Sequence, residues 1–223
     1  MDKKKKLTIE ENFTLAIENH KKNKLDVAIK FYNQVLENNP NHTSALNNLG
    51  MVFQRLKENR RAIFAYERTI KINPSHADAH YNLGIVFQTL GENKKAVSCY
   101  EKVIKINSNY ADAHYNLGKI FQVLGENQKA KNCYTKTIEI DSDYIGAYNN
   151  LGTVFQTLGD NEKAIDYYQK TIKINPANAD AHNNLGALFC ESGEFKKARD
   201  CFEKAIKINP RHKKAQENLE AMK

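Results

Sequence analysis

The sequence predicts an all-α solenoid, a stack of antiparallel helix pairs, and three observations predict it. First, a 34-residue stretch, ADAHYNLGIVFQTLGENKKAVSCYEKVIKINSNY at 77–110, is restated at constant spacing. Its Asn-Leu-Gly tract recurs as Asn48-Leu49-Gly50, Asn82-Leu83-Gly84, Asn116-Leu117-Gly118, Asn150-Leu151-Gly152 and Asn184-Leu185-Gly186. Second, with Ala77 as position 1, His80, Leu83, Gly84 and Phe87 (positions 4, 7, 8 and 11) share one arc of a helix. Third, a second apolar arc follows at Ala96, Tyr100 and Val103, with Gly91 between the two, where a residue of positive φ ends the first helix.

Taken in order, residues 1–8 read as a basic, disordered tail with no aromatic interleaving to stack bases. Residues 9–42 form a divergent first repeat, phased on Ala28, Tyr32, Val35 and Pro40, with Asn12, Ala16 and Asn19 where apolar residues or glycine stand elsewhere. A polar outer side there would cap the stack. Five full units follow without insertion, at 43–76, 77–110, 111–144, 145–178 and 179–212. Lys57 alone departs from the inter-helix glycine, a change expected to cost little if its turn adjusts. Residues 213–223 give one more helix, whose Gln216, Glu217 and Glu220 offer a solvating end face.

Leu-Gly at positions 7 and 8, an aromatic at 11, alanine at 20 and an aromatic at 24 recur in every unit, for example Leu117, Gly118, Phe121, Ala130 and Tyr134. With Pro74, Pro176 and Pro210 at position 32, the pattern resembles the tetratricopeptide repeat. Ser108 and Ser142 replace that proline in two units, and position 4 carries Leu46, His80, His114, Tyr148 or His182 in place of the family's usual Trp. The resemblance implies a right-handed superhelix whose first helices line an inner groove, along which an extended peptide lies.

Composition excludes several classes. No run approaches the roughly 18 apolar residues of a membrane helix, and the lysine-rich start lacks the apolar stretch of a signal peptide, so a soluble cytoplasmic protein is expected. Cys99, Cys133 and Cys201 share position 23 and Cys190 stands apart; with no C-x-x-C pair, free thiols in a reducing compartment are expected. The net charge of +8 comes largely from lysines on the second helices, at positions 18, 19, 26 and 29. Glu67–Lys71, Glu101–Lys105 and Glu203–Lys207 are spaced as i,i+4 pairs. A solvated convex face explains that stripe; binding to a polyanion such as nucleic acid is the lesser alternative.

Positions 2, 6, 9 and 13 point away from the core arc, and 5 and 12 flank them. Position 6 is asparagine in all five units: Asn48, Asn82, Asn116, Asn150 and Asn184. Each amide offers a donor and an acceptor, so a row of them suits successive peptide groups of a bound chain at about 0.5–1.5 kcal/mol each. The row is similar to the asparagine ladder in the repeat region of the O-linked N-acetylglucosamine transferases; a purely structural role between helices is weighed equally. Gln54, Gln88, Gln122 and Gln156 at position 12, Tyr81 and Tyr115 at position 5, and Arg55 and Lys119 complete the expected peptide-binding groove. The aspartates at position 2 are assigned to the positive end of the helix dipole. Phe13 and Ile17 stand where a carboxylate clamp would need Lys and Asn, so an acidic chaperone tail is not the expected ligand.

No phosphate loop, nucleophile elbow or metal-ligand pattern stands out, and the i,i+4 pair His76 and His80 lacks a third ligand. No catalytic residue, metal, cofactor or small-molecule substrate is assigned. The expected function is a non-catalytic scaffold for a protein or peptide partner. The alternative is the substrate-recruiting module of a glycosyltransferase or sulfotransferase whose catalytic domain lies elsewhere.

Overall fold

The computed structural model describes residues 7–222; most of the expected basic tail, residues 1–6, and Lys223 lie outside the described residues. These form thirteen α-helices and no strand, in two compact units split between Ser108 and Asn109. The first unit holds α1 (Ile9–Lys21), α2 (Leu25–Asn38), α3 (Thr43–Arg55), α4 (Asn59–Ile72), α5 (Ala77–Thr89) and α6 (Asn93–Ile106). The second holds α7 (Ala111–Val123), α8 (Asn127–Ile140), α9 (Ile145–Thr157), α10 (Asn161–Ile174), α11 (Ala179–Glu191), α12 (Phe195–Ile208) and α13 (Lys213–Glu220). Within each unit every first helix packs on its own second helix, and that second helix packs on the next first helix.

Thr8, assigned from sequence to the tail, opens α1 instead: its side chain accepts from the Glu11 N–H at 3.1 Å while the Glu11 carboxylate accepts from the Thr8 N–H at 2.8 Å. Two orphan donors are thereby satisfied at once. Later first helices begin on position 34. His42, His76 and His212 accept from the N–H three residues on through Nδ1, at 3.2, 3.2 and 3.1 Å, and Asn178 does so through Oδ1 at 2.9 Å. Histidine is an uncommon N-cap, and the usual signature residues do not announce it. Where proline is missing at Ser142 the turn persists, because Asp141 Oδ1 accepts from the Asp143 N–H at 3.0 Å, as Asn73 Oδ1 does from Ser75 at 3.1 Å.

Each pair is closed by a tyrosine or phenylalanine at position 24. Tyr32, Tyr66, Tyr100, Tyr134 and Tyr168 are fully buried, and Phe202 is nearly so. From Tyr66 onward they lie where the position-8 glycine leaves room, while Tyr32 stands beside Ala16. A Cβ on Gly84 would come within 2.7 Å of the Tyr100 ring, and one on Gly152 within 2.6 Å of Tyr168. Buried threonines at position 27 satisfy themselves within the helix, Thr69 donating to the Ala65 carbonyl at 2.9 Å and Thr137 to Cys133 at 3.0 Å.

The left-handed residue between helices is Gly91, Gly125, Gly159 and Gly193, with φ of 74, 74, 81 and 76°. The condition under which Lys57 would cost little is not met, since its turn does not adjust: it holds φ 60° like the glycines, and Asn23 does the same in the first repeat at 58°. A lysine there carries the Cβ penalty that asparagine and glycine largely escape. Lys57→Gly is therefore expected to stabilise the first unit by about 1 kcal/mol. Calorimetry should show the melting temperature rising by about 2–4 °C; an unchanged or lower value contradicts the strain.

Candidate functional site

On the first helices, Asn48, Asn82, Asn116, Asn150 and Asn184 are all half-buried. The seam between repeats takes part of their bonding capacity. In the first unit Asn82 Nδ2 donates to Asn47 Oδ1 at 3.3 Å. In the second, Asn150 Nδ2 donates to the Tyr115 hydroxyl at 3.4 Å and to the Tyr134 hydroxyl at 3.2 Å. Asn184 Oδ1 is met within its own helix, accepting from the neighbouring Asn183 Nδ2 at 3.3 Å. The final helix continues the pattern, Asn218 donating to Asn183 at 3.1 Å.

The half-buried glutamines at position 12 are engaged as well. The hydroxyls of Tyr66, Tyr100, Tyr134 and Tyr168 donate to the side-chain carbonyls of Gln54, Gln88, Gln122 and Gln156, at 3.0, 2.9, 2.8 and 3.2 Å. Each glutamine thus satisfies the one polar atom of a buried tyrosine. Burial holds the phenols of Tyr66, Tyr100 and Tyr134 well above the ordinary range and pushes Tyr32 up to about 12. At position 5, Tyr81 and Tyr115 are half-buried, while Asn47 and Asn183 are buried and so do not flank an open groove.

What remains open is chemically mixed. Arg55 is exposed and reaches back to Asn23 Oδ1 at 2.8 Å and the His20 carbonyl at 3.3 Å. Lys119 is exposed, its Nζ 5.7 Å from the Tyr115 ring centre, and that ring lies 4.8 Å from Tyr144. Val123 is 78% exposed on the same helix. Position 2 carries a tie that dipole reasoning missed: Asp112 accepts from the Tyr144 hydroxyl at 2.8 Å, and Asp180 lies 3.0 Å from His212 Nε2. Both contacts run from the cap of one first helix to the start of the preceding one.

The second helices also differ from expectation. The ion pairs they form are not the i,i+4 pairs of the sequence but chiefly i,i+3 pairs from position 19 to position 16: Arg61–Glu58, Lys95–Glu92, Lys129–Glu126, Lys163–Asp160 and Lys197–Glu194. The same cations lie over the position-11 rings, with Arg61 3.9 Å from Phe53 and Lys95 5.0 Å from Phe87. One row of the lysine stripe is therefore tied into the repeat.

His80 Nε2 lies 3.0 Å from the Pro74 carbonyl and His182 Nε2 3.1 Å from that of Pro176, and burial lowers the pKa of His80. With His76 capping α5, the two imidazoles of the i,i+4 pair serve the backbone. Among the described residues no group of three or more His, Cys, Asp or Glu side chains is placed to hold a metal ion, and no helix is long and apolar enough to cross a membrane. Burial pushes the Cys99 thiol up to about 11, which makes it a poor nucleophile at neutral pH.

Family comparison agrees with this geometry. Sequence profiles described as "Tetratricopeptide repeat" match residues 12–42, 109–177 and 147–211, and one described as "TPR repeat" matches 56–91 and 89–125. The chain is a tetratricopeptide-repeat protein. Among solved structures, this tetratricopeptide-repeat protein is similar to MamA, at 28% identity and a TM-score of 0.68 over 77% of this chain and 93% of that one. It is also similar to YrrB, described as "a TPR protein with an unusual peptide-binding site", at 23% identity and a TM-score of 0.72 over 85% and 97% of the two chains. A third likeness is to the Cut9–Hcn1 tetramer of the APC/C, at 16% identity and a TM-score of 0.76, covering 96% of this chain and 42% of that one. The last two are likenesses of fold. No protein of curated function matches the sequence.

Proposed function

We propose that this tetratricopeptide-repeat chain is a non-catalytic scaffold whose first-helix faces hold an extended or disordered segment of a protein partner. One observation carries it: the core arc leaves a second, partly open face on each first helix, where half-buried amides stand beside exposed groups of mixed character. In the second unit Asn116, Asn150 and Asn184 stand beside the exposed Lys119, Thr157 and Glu191. Asn150 spends both amide hydrogens in the seam and keeps its carbonyl oxygen for a peptide N–H. Backbone capture by such amides, in the manner of the O-linked N-acetylglucosamine transferase repeats, needs no particular partner sequence. The first unit offers Asn48, Asn82, Arg55 and Tyr81 in the same way. The buried, unbridged thiols Cys99 and Cys201 favour a cytoplasmic setting for the scaffold.

Peptides selected by display against the intact chain provide the test. The double variant Asn116→Ala/Asn150→Ala should weaken them by roughly 10- to 30-fold, as expected for two hydrogen bonds of about 1 kcal/mol each. Circular dichroism separates lost binding from lost fold. Unchanged affinity in a folded double variant contradicts the ladder.

A further inference from the structure

We propose that the outward face of α4 is a second docking surface, distinct from the first-helix faces, and that it takes an acidic peptide segment bearing a bulky apolar side chain. Position 22 is polar in the later repeats, as Ser98, Asn132, Asp166 and Asp200, but is Phe64 in α4. That ring is 66% exposed. It lines two adjoining hollows of about 610 and 540 Å³. Half-buried Leu36 and the core residues Leu46, Leu49 and Phe53, which are themselves buried, line the larger one. An exposed aromatic beside an apolar hollow is a surface that a bulky side chain can complete.

The charges around Phe64 name the rest of the ligand. Arg60, Arg61 and Arg68 stand four and three residues before it and four after it, on the same helix face. With Arg55 they make up four of the six arginines of the chain, and the next repeat has Lys94, Lys95 and Lys102 at the three equivalent helix positions. A guanidinium pairs with a carboxylate through two parallel N–H bonds, which an ammonium cannot do. Two of the three are already held in place, Arg61 over the Phe53 ring with Glu58 as its partner, and Arg68 by donation to the Pro40 carbonyl at 2.8 Å. Arg60 and Lys71 are exposed. Glu37 and Glu67 also border the hollows, so this face is not uniformly positive. That mixture suits a peptide with spaced carboxylates better than a continuous phosphate backbone, and single strands of nucleic acid favour successive aromatics where this face has one.

The experiment uses the whole chain and a fluorescein-labelled short peptide rich in aspartate and glutamate with one central leucine, read by fluorescence polarisation. Saturable binding is expected, weakened at least about tenfold by Phe64→Ser and likewise by Arg60→Glu, and unchanged by Phe195→Ser, which removes an exposed aromatic ring from the other unit. Phe64→Ser alters an exposed position and copies the residue of the next repeat, so it should fold; circular dichroism checks this. No saturable binding, or binding indifferent to Phe64, overturns the proposal. Phe64-dependent binding of oligouridine with equal affinity would reassign the face to nucleic acid, and Phe64-dependent self-association in sedimentation would reassign it to a second copy. Neither result bears on Asn116 and Asn150.

Discussion

Tyr134→Ala is expected to destabilise the second unit by about 3–5 kcal/mol, the range for deleting a buried aromatic. The ring is fully buried, stands 5.7 Å from the Tyr115 ring, and joins a cluster with Ala130, Ala147, Leu151 and Val154. Its hydroxyl donates to Gln122 at 2.8 Å and accepts from Asn150 at 3.2 Å, so truncation opens a cavity and removes a partner from both amides. Tyr134→Phe keeps the packing and should cost only about 0.5–1.5 kcal/mol. Stability in a repeat array is a sum of local terms, so hydrogen exchange resolved along the chain is the better reading than a single melting temperature. Protection should fall first in α7, α8 and α9. A Tyr134→Ala variant as protected there as Tyr134→Phe would mean that the aromatic does not hold the pair together.

Gly118→Ala tests the same contact from the other side. A Cβ at Gly118 would lie 2.7 Å from Cε1 and 2.9 Å from Cδ1 of Tyr134, closer than such atoms approach. Alanine otherwise favours a helix over glycine by roughly 1 kcal/mol, so the clash must exceed that gain to show. A net loss of about 1–3 kcal/mol is expected, the range for overpacking a core. The first repeat carries Ala16 at this position beside Tyr32, both fully buried, so a helix pair built around alanine exists in the same chain. Combining Gly118→Ala with Tyr134→Leu should cost less than the two single changes together. Strict additivity would show that the two residues do not share one space.

The helix pairs and their register were legible in the sequence because burial imposes a period on each helix, and the period survives wherever the core is kept. Leu117, Gly118 and Tyr134 lie where that period puts them. The tips of long polar side chains were not legible. Periodicity assigns a residue to a face of its own helix but does not say what the neighbouring repeat offers it. Gln122 was placed beside the groove, yet its carbonyl accepts from Tyr134; Asp112 was given to the helix dipole, yet it accepts from Tyr144. The cap formed by His76 was invisible for a related reason, since imidazole nitrogen is an uncommon acceptor there. The asparagines show both sides: their recurrence was plain, but the partial use of Asn82 and Asn150 in the seam required coordinates. Lys57 stood out in the sequence as the departure from glycine, but whether its turn would adjust was not legible there, and the backbone keeps the left-handed conformation.

Hydrogen exchange of the intact chain with a display-selected peptide bound tests the scaffold account most directly. Added protection in the first helices α7, α9 and α11, with α8, α10 and α12 unchanged, is the predicted result. Protection confined to those second helices would contradict it.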